Sequence, residues 1–236
     1  MIGALLPAPV VTAEAFGDPA VAPELFPEEA ALVERAVPER QREFTTVRAL
    51  ARTALGRLGH DPAPILPGVR GAPRWPTGVV GSMTHCRGYR AAAMAHAADL
   101  VTVGIDAEPN LALPNQDVLE TVLFGRERTH VRELGALRPE VSWDRLVFSA
   151  KESVYKAWFP LTGLWLDFDQ ATLRIDPEAG TFHARLLVPG PEVGHTRLSG
   201  FDGRWQVDGG LIVTTIAVYR KDLEQPDGPP SGAPGN

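Results

Sequence analysis

The chain has a single cysteine, Cys86, in 236 residues, which excludes an internal disulfide framework. Lysine is nearly as scarce: of 23 basic residues only Lys151, Lys156 and Lys221 are lysines, and 29 acidic residues bring the net charge to −6. That balance argues against a general affinity for nucleic acid, whose phosphates must be met by surplus cations along a face. No apolar run approaches the roughly 18–20 residues that cross a bilayer, because Arg, Asp, Pro or Gly interrupts each one. No charged-then-apolar segment opens the sequence, so the expected location is cytoplasmic, away from membranes. Sequence repeats are also missing.

What the chain does have is 44% hydrophobic residues, enough to bury one large core or two intimately packed smaller ones. Residues 1–27 are rich in Pro and Ala with scattered acids. Helices are expected over Glu28–Val37 and Glu39–Leu58; in the second, Phe44, Val47, Ala51, Ala54, Leu55 and Leu58 recur at helical spacing as one apolar stripe. The five prolines between Pro62 and Pro76 describe an irregular loop displaying Arg70, Arg74 and Trp75. Short strands follow at Val79–Thr84, Arg90–Ala97 and Leu100–Glu108, the alanine-rich middle one reading equally well as helix. The region from Leu113 to Pro139 has no clear period. A helix opens at Ser142 and runs to about Phe159, where Pro160 is expected to end it. From Leu164 to Tyr219 the pattern is strands, with Asp208-Gly209-Gly210 as a hairpin turn. From Asp222 onward the composition is that of a disordered tail.

Two places carry chemistry. In Leu100–Glu108 the period of two puts Val101, Val103 and Ile105 on one face, so Asp106 and Glu108 share the other. In the helix after Ser142, Glu152 and Lys156 stand four apart, off the apolar stripe. Alone, the acidic pair describes a turn or helix contact, and Glu152 with Lys156 an ordinary exposed ion pair. Together, three carboxylates on rigid elements can hold Mg²⁺ with positions open to phosphate oxygens, and a lysine beside them can bind that phosphate.

The words Gly104-Ile105-Asp106-Ala107-Glu108 and, about 44 residues later, Phe148-Ser149-Ala150-Lys151-Glu152-Ser153-Val154-Tyr155-Lys156-Ala157 resemble the signature pair of 4′-phosphopantetheinyl transferases. The resemblance is to the Sfp-type class, in its enterobactin-synthetase-like branch. It extends from about Glu39 through Trp158 and includes Glu43-Phe44, Gly81-Ser82-Met83-Thr84-His85-Cys86 and Trp143-Asp144, roughly half the chain. It implies an α+β fold of two pseudo-symmetric subdomains, residues 1–105 and 106–221 before a tail at 222–236, with coenzyme A in the cleft between them. It further implies that Asp106, Glu108 and Glu152 hold Mg²⁺ and that Lys156 meets the pyrophosphate. Arg40 and Arg48 would grip the 3′-phosphate and nucleotide end, and Ser82 and His85 would add phosphate contacts. Arg70 either joins them or faces solvent. Some relatives carry a lysine where this loop has Pro67, which leaves the cation set around the 3′-phosphate open. Trp75 and Trp158 are expected to pack, and Cys86 to be a small buried residue, not a nucleophile.

The implied activity is transfer of 4′-phosphopantetheine from coenzyme A to a serine hydroxyl of apo acyl or peptidyl carrier proteins. Asp106, Glu152 and Lys156 are its catalytic set, adenosine 3′,5′-bisphosphate its second product, and a polyketide, nonribosomal peptide or siderophore route its setting. The enzyme is expected to be a monomer. Carriers of this kind are acidic, so a local basic patch is needed; Arg126, Arg128 and Arg132 either supply it or form a solvated face. The rival readings are a Mg²⁺-dependent hydrolase acting on the same donor and a coenzyme A-binding regulator without turnover.

Overall fold

The computed structural model describes residues 1–223. In chain order the N-terminal elements are α1 (Ile2–Leu5), β1 (Val11–Phe16), α2 (Pro27–Val33), α3 (Pro38–Arg57), β2 (Val79–Cys86), β3 (Tyr89–His96) and β4 (Leu100–Pro109). Then come α4 (Gln116–Val122), α5 (Glu127–Leu137), α6 (Trp143–Thr162), β5 (Ala171–Asp176), β6 (Thr181–Leu186), β7 (Glu192–Val193), β8 (Thr196–Arg197), β9 (Gly200–Asp208), β10 (Leu211–Tyr219) and α7 (Arg220–Leu223). The class is α+β, as expected.

Two sheets carry the architecture. One has three strands in the order β1-β3-β2, the other five in the order β4-β10-β9-β6-β5, and β7 pairs with β8 separately. Helix α3 lies on the first sheet, where Ala51, Ala54 and Leu55 meet Ala92 and Met94. Helix α6 lies on the second, where Leu146, Ala150 and Val154 meet Phe182, Ile212 and Ile216. Between the sheets, α1 plugs a core built from Tyr89, Ala91, Ala93, Val103, Ile105 and Val213.

The alanine-rich segment is strand, because both of its faces are covered and only small side chains fit between α3 and the central core. The prolines and alanines before residue 27 had suggested no element; β1 forms there by pairing antiparallel along β3, Val11 opposite Met94. Helix α6 runs past Pro160 to Thr162 and stops at Gly163, in the left-handed region at φ 65°. Proline this close to the end removes only one donor, so the helix persists for a further half-turn. Gly209 and Gly210, at φ 56° and 77°, make the tight turn joining β9 to β10. The expected disordered tail begins instead with α7, and residues 224–236 lie outside the described ones.

One device occurs twice along the chain. Glu29, fully buried at the start of α2, accepts the N–H groups of Phe26 (3.1 Å) and Ile65 (2.9 Å) and pairs with Arg52 of α3 at 2.7 Å. Glu127, at the start of α5, accepts those of Phe124 (3.0 Å) and Leu173 (2.8 Å) and pairs with Lys151 of α6 at 2.8 Å. At both places a buried carboxylate caps its own turn, neutralises a cation on the long helix and ties down the segment beyond it. The pairs are worth keeping intact, since removing one partner strands a buried charge.

The sheets meet where β2 runs beside β4. No backbone ladder joins them. Ser82 Oγ accepts the Ile105 N–H and Thr84 Oγ1 accepts the Ala107 N–H, each at 3.1 Å. Strand β4 belongs along its whole length to the five-stranded sheet through β10. Among the described residues no helix is long and apolar enough to cross a membrane.

Candidate active site

The site grows from the face of β4 that looks at α6. Thr102, Gly104, Asp106 and Glu108 share it by the period of two. Gly104 is the point of closest approach: a Cβ there would lie 2.8 Å from the Ala157 nitrogen and closer still to the Ser153 carbonyl. Thr102 Oγ1 donates to Ala157 O at 2.9 Å and fastens the helix to the strand. This packing brings Lys156 over Asp106.

Lys156 Nζ donates to Asp106 Oδ1 at 2.7 Å and to Ile105 O at 3.1 Å. The same Oδ1 accepts the Thr84 hydroxyl at 3.2 Å. Asp106 Oδ2 is buried with no partner, an unusual state for a carboxylate oxygen. One turn back on α6, Glu152 makes no ion pair among the described residues, and burial, with the Asp106 charge adding, pushes its carboxyl above the usual range. Burial and Asp106 likewise push Glu108 up to about 7, against the pull of Arg145. Arg145 Nη1 donates to Glu108 Oε2 at 3.0 Å.

Asp106 repels both Glu108 and Glu152 in partial burial, and hard oxygen donors of this kind suit Mg²⁺. The orphaned Oδ2 and the raised Glu152 and Glu108 fit a cation between them. Among the described residues, however, no three His, Cys, Asp or Glu side chains are gathered closely enough to cage an ion as they stand. Asp106 is paired with Lys156 at 2.7 Å and Glu108 with Arg145 at 3.0 Å.

Beside the acids opens a cavity of about 430 Å³ between α3, the 70–75 loop, β2 and α6. Arg40, Arg48, Arg70, Ser82, His85, Glu152 and Lys156 all line it; Asp106 and Glu108 do not. A larger hollow of about 790 Å³, on the outer face of the five-stranded sheet, holds none of the residues singled out from sequence. Arg48 is buried, donates to Ile65 O at 3.2 Å and lies 3.3 Å above the Phe44 ring. Burial lowers it to about 10, so it remains a cation at neutral pH. Arg40 and Arg70 are exposed at the cavity rim, and Arg70 sits at φ 53°, its guanidinium 5.8 Å from the Trp165 ring.

His85 bonds to Arg40 through Nε2, and its Nδ1 lies 3.3 Å from Glu43. Burial, then the charges of Arg40, Lys156 and Arg90, depress it to about 4, so the ring is neutral and ready to gain a proton if an anion arrives. Glu43 also faces buried Arg90 at 3.5 Å, and Arg90 is held by Asp18 at 3.1 Å.

Ser82 lines the cavity while serving the seam with β4. Trp75 donates to Gly81 O at 2.9 Å and Trp158 to Leu164 O at 3.0 Å, packing roles as expected, although Trp75 also lines the cavity. Cys86 is half-buried, not fully buried, and burial raises its thiol to about 12; it is no nucleophile at neutral pH. Arg126, Arg128 and Arg132 are exposed along the start of α5.

Sequence reasoning passed over Thr84, Arg145, Tyr155 and Phe159. Thr84 stands two after Ser82 on one strand, and Arg145 seven before Glu152 on one helix, spacings that put each pair on a shared face. Tyr155 and Phe159 are spaced as core and give no separate signal. Lys151 is not part of the site: its ammonium is buried with Glu127, Val122 O and Phe168 O, each at 2.8 Å.

Comparison with known proteins adds two family matches, the 4′-phosphopantetheinyl transferase N-terminal domain over residues 28–95 and the 4′-phosphopantetheinyl transferase superfamily over residues 102–206. The chain is 64% identical to the 4′-phosphopantetheinyl transferase Svp of Streptomyces mobaraensis, across 92% of this chain and 89% of that protein. It is 45% identical to the 4′-phosphopantetheinyl transferase Npt of Nocardia iowensis, across 92% and 99%. With the 4′-phosphopantetheinyl transferase PptT of Mycobacterium tuberculosis it shares 42%, across 92% and 98%.

Proposed function

The chain belongs to the 4′-phosphopantetheinyl transferase superfamily, in its Sfp-type class, and is an enzyme of that activity; from that premise we propose that coenzyme A is its donor, Mg²⁺ its metal and an apo acyl or peptidyl carrier protein its acceptor. The observation that carries this reading is the cavity where Arg40, Arg48, Arg70, His85 and Lys156 meet Glu152, with Asp106, one of its oxygens unpartnered, bonded to Lys156. A ligand rich in phosphate answers those cations, and arginine forks suit its oxygens.

In this reading Arg40, Arg48 and Arg70 take the 3′-phosphate and nucleotide end, while Ser82, His85 and Lys156 take the pyrophosphate. Asp106, Glu108 and Glu152 hold Mg²⁺, which when bound neutralises pyrophosphate charge and fixes it for in-line displacement. The carrier serine oxygen forms a bond to the β-phosphorus, and the bond from that phosphorus to the bridging oxygen breaks, releasing adenosine 3′,5′-bisphosphate. Lys156 stabilises charge on the departing side. Glu152 receives the serine proton, directly or through water; its raised affinity for a proton favours that task. Docking of an acidic carrier falls to Arg126, Arg128 and Arg132, and reversing two of these charges should weaken it. A boundary at residues 105/106, as the resemblance implies, would divide β4, which pairs along its length with β10; for the division into halves we propose residues 97–99 instead.

The test is the intact mass of an apo carrier incubated with enzyme, coenzyme A and Mg²⁺. A gain of one phosphopantetheine, lost with chelator or in Glu152→Ala, supports the reading. Release of adenosine 3′,5′-bisphosphate without carrier would indicate hydrolysis instead, and tight coenzyme A binding without any product would indicate a regulator.

A further inference from the structure

Resting on the reading that Asp106, Glu108 and Glu152 hold the metal, we propose that Arg145 is a positioning residue that competes with the metal for Glu108. In the free protein it keeps the third carboxylate latched away from the other two.

The geometry of the guanidinium carries the argument. Arg145 uses three nitrogens: Nη1 to Glu108 Oε2, Nε to Leu111 O and Nη2 to Ala112 O, each at 3.0 Å. The two carbonyls belong to the loop after β4, and that loop is pinned independently. Asp144 Oδ2 accepts Leu113 N–H at 2.8 Å, Asn110 Oδ1 accepts Ser142 N–H at 2.8 Å, and Asn110 Nδ2 donates to Glu140 O at 2.8 Å. Arg145 therefore cannot follow Glu108 without giving up the loop, so if the pair parts, the Glu108 side chain is what moves.

The pair is also sheltered. The two side chains are 18% and 20% exposed, so their attraction escapes most of the screening that weakens surface pairs. Across the site, Asp106 Oδ2 waits without a partner and Glu152 without an ion pair among the described residues. A divalent cation settling there attracts Glu108 and repels Arg145. The latch thus neutralises Glu108 beside Asp106 in the metal-free protein, and lowers metal affinity by the strength of the pair to be broken.

The experiment titrates Mn²⁺ into the full-length protein without coenzyme A, following free Mn²⁺ by its electron paramagnetic resonance signal. Wild type is compared with Arg145→Met, Glu108→Gln and the double variant. Arg145→Met is expected to bind Mn²⁺ tighter, by on the order of 3- to 10-fold, and that gain is expected to vanish in the Glu108→Gln background. An equal gain in both backgrounds would reduce Arg145 to a general positive charge and overturn the latch, as would unchanged or weaker binding in Arg145→Met. Should that variant not fold, Arg145→Lys, which keeps the charge but not the fork, reads the same coupling with a smaller gain. The underlying reading has separate controls: if wild type does not bind Mn²⁺, or Asp106→Asn and Glu152→Gln bind it unchanged, the metal assignment fails. If those variants weaken binding while Arg145→Met is neutral, only the latch fails.

Discussion

Truncating Lys151 tests whether the lysine adjoining Glu152 belongs to the fold or to the chemistry. Its ammonium is 2% exposed, as is Glu127, and it donates at 2.8 Å to Glu127, Val122 O and Phe168 O. Burial pulls its pKa down and Glu127 pushes back, so the charged pair persists because each half neutralises the other. Lys151→Ala removes one partner and leaves a buried carboxylate and two carbonyls without their donor. Breaking a buried pair in this way costs about 3–5 kcal/mol, which in a chain of this size lowers the melting temperature by roughly 10 °C or more. Urea unfolding and calorimetry measure the loss. Lys151→Met/Glu127→Gln should recover part of it, since the amide is neutral yet still offers one oxygen to the Phe124 or Leu173 N–H. Turnover at a temperature where the variant is folded should stay near wild type. A loss below about 1 kcal/mol, or lost turnover in a folded variant, would refute the argument.

Four further outcomes are expected. Glu108 is raised from 4.5 to about 7, so ionising it costs the metal-free fold stability: its contribution is fully present below the unfolded value, fades as pH climbs and is gone above about 7. Urea unfolding of wild type against Glu108→Gln should show the difference shrinking across that window by on the order of 2 kcal/mol, and a flat difference would contradict it. Gly104→Ala should push α6 off β4, destabilise by about 1–3 kcal/mol or more and lower turnover by parting Lys156 from Asp106; a stable, active variant would show that the contact is not tight. Arg70→Ala should raise the coenzyme A KM several-fold, for about 1 kcal/mol of lost phosphate contact, without moving the melting temperature. Arg48→Ala should move both, because Arg48 is buried against Phe44 and Ile65 O.

Much of this was legible where the signal is local. The stripes of α3 and α6, the β9–β10 turn and the shared face of Asp106 and Glu108 all follow from spacing. What escaped depends on residues far apart in sequence. Strand β1 exists because β3, beginning more than seventy residues later, offers it an edge. The alanines of β3 favour helix by propensity and become strand because layers on both sides leave room for nothing larger. Pro160 looked like a terminus, yet near the end of α6 it costs one hydrogen bond and Gly163 sets the stop. In the site, charge pattern raised only Asp106, Glu108, Glu152 and Lys156, the resemblance implied the rest, and neither said how they pair. That Lys151 turns inward while Lys156 turns to Asp106 follows from where Glu127 lies, and nothing in the local sequence of α6 encodes it.

The hydroxyl seam between β2 and β4 has a mechanical consequence. Thr84 Oγ1 accepts the Ala107 N–H and donates to Asp106 Oδ1, so one atom both fastens the strand and orients the acid. A hydroxyl contact is a softer joint than a ladder of paired backbone groups. Hydrogen exchange at the Ile105 and Ala107 amides should therefore outpace that of their neighbours bonded to β10. Each time the seam breathes, Asp106 loses one of its two donors and is left to Lys156 alone, so the stiffness of the cleft and the aim of its central carboxylate are coupled.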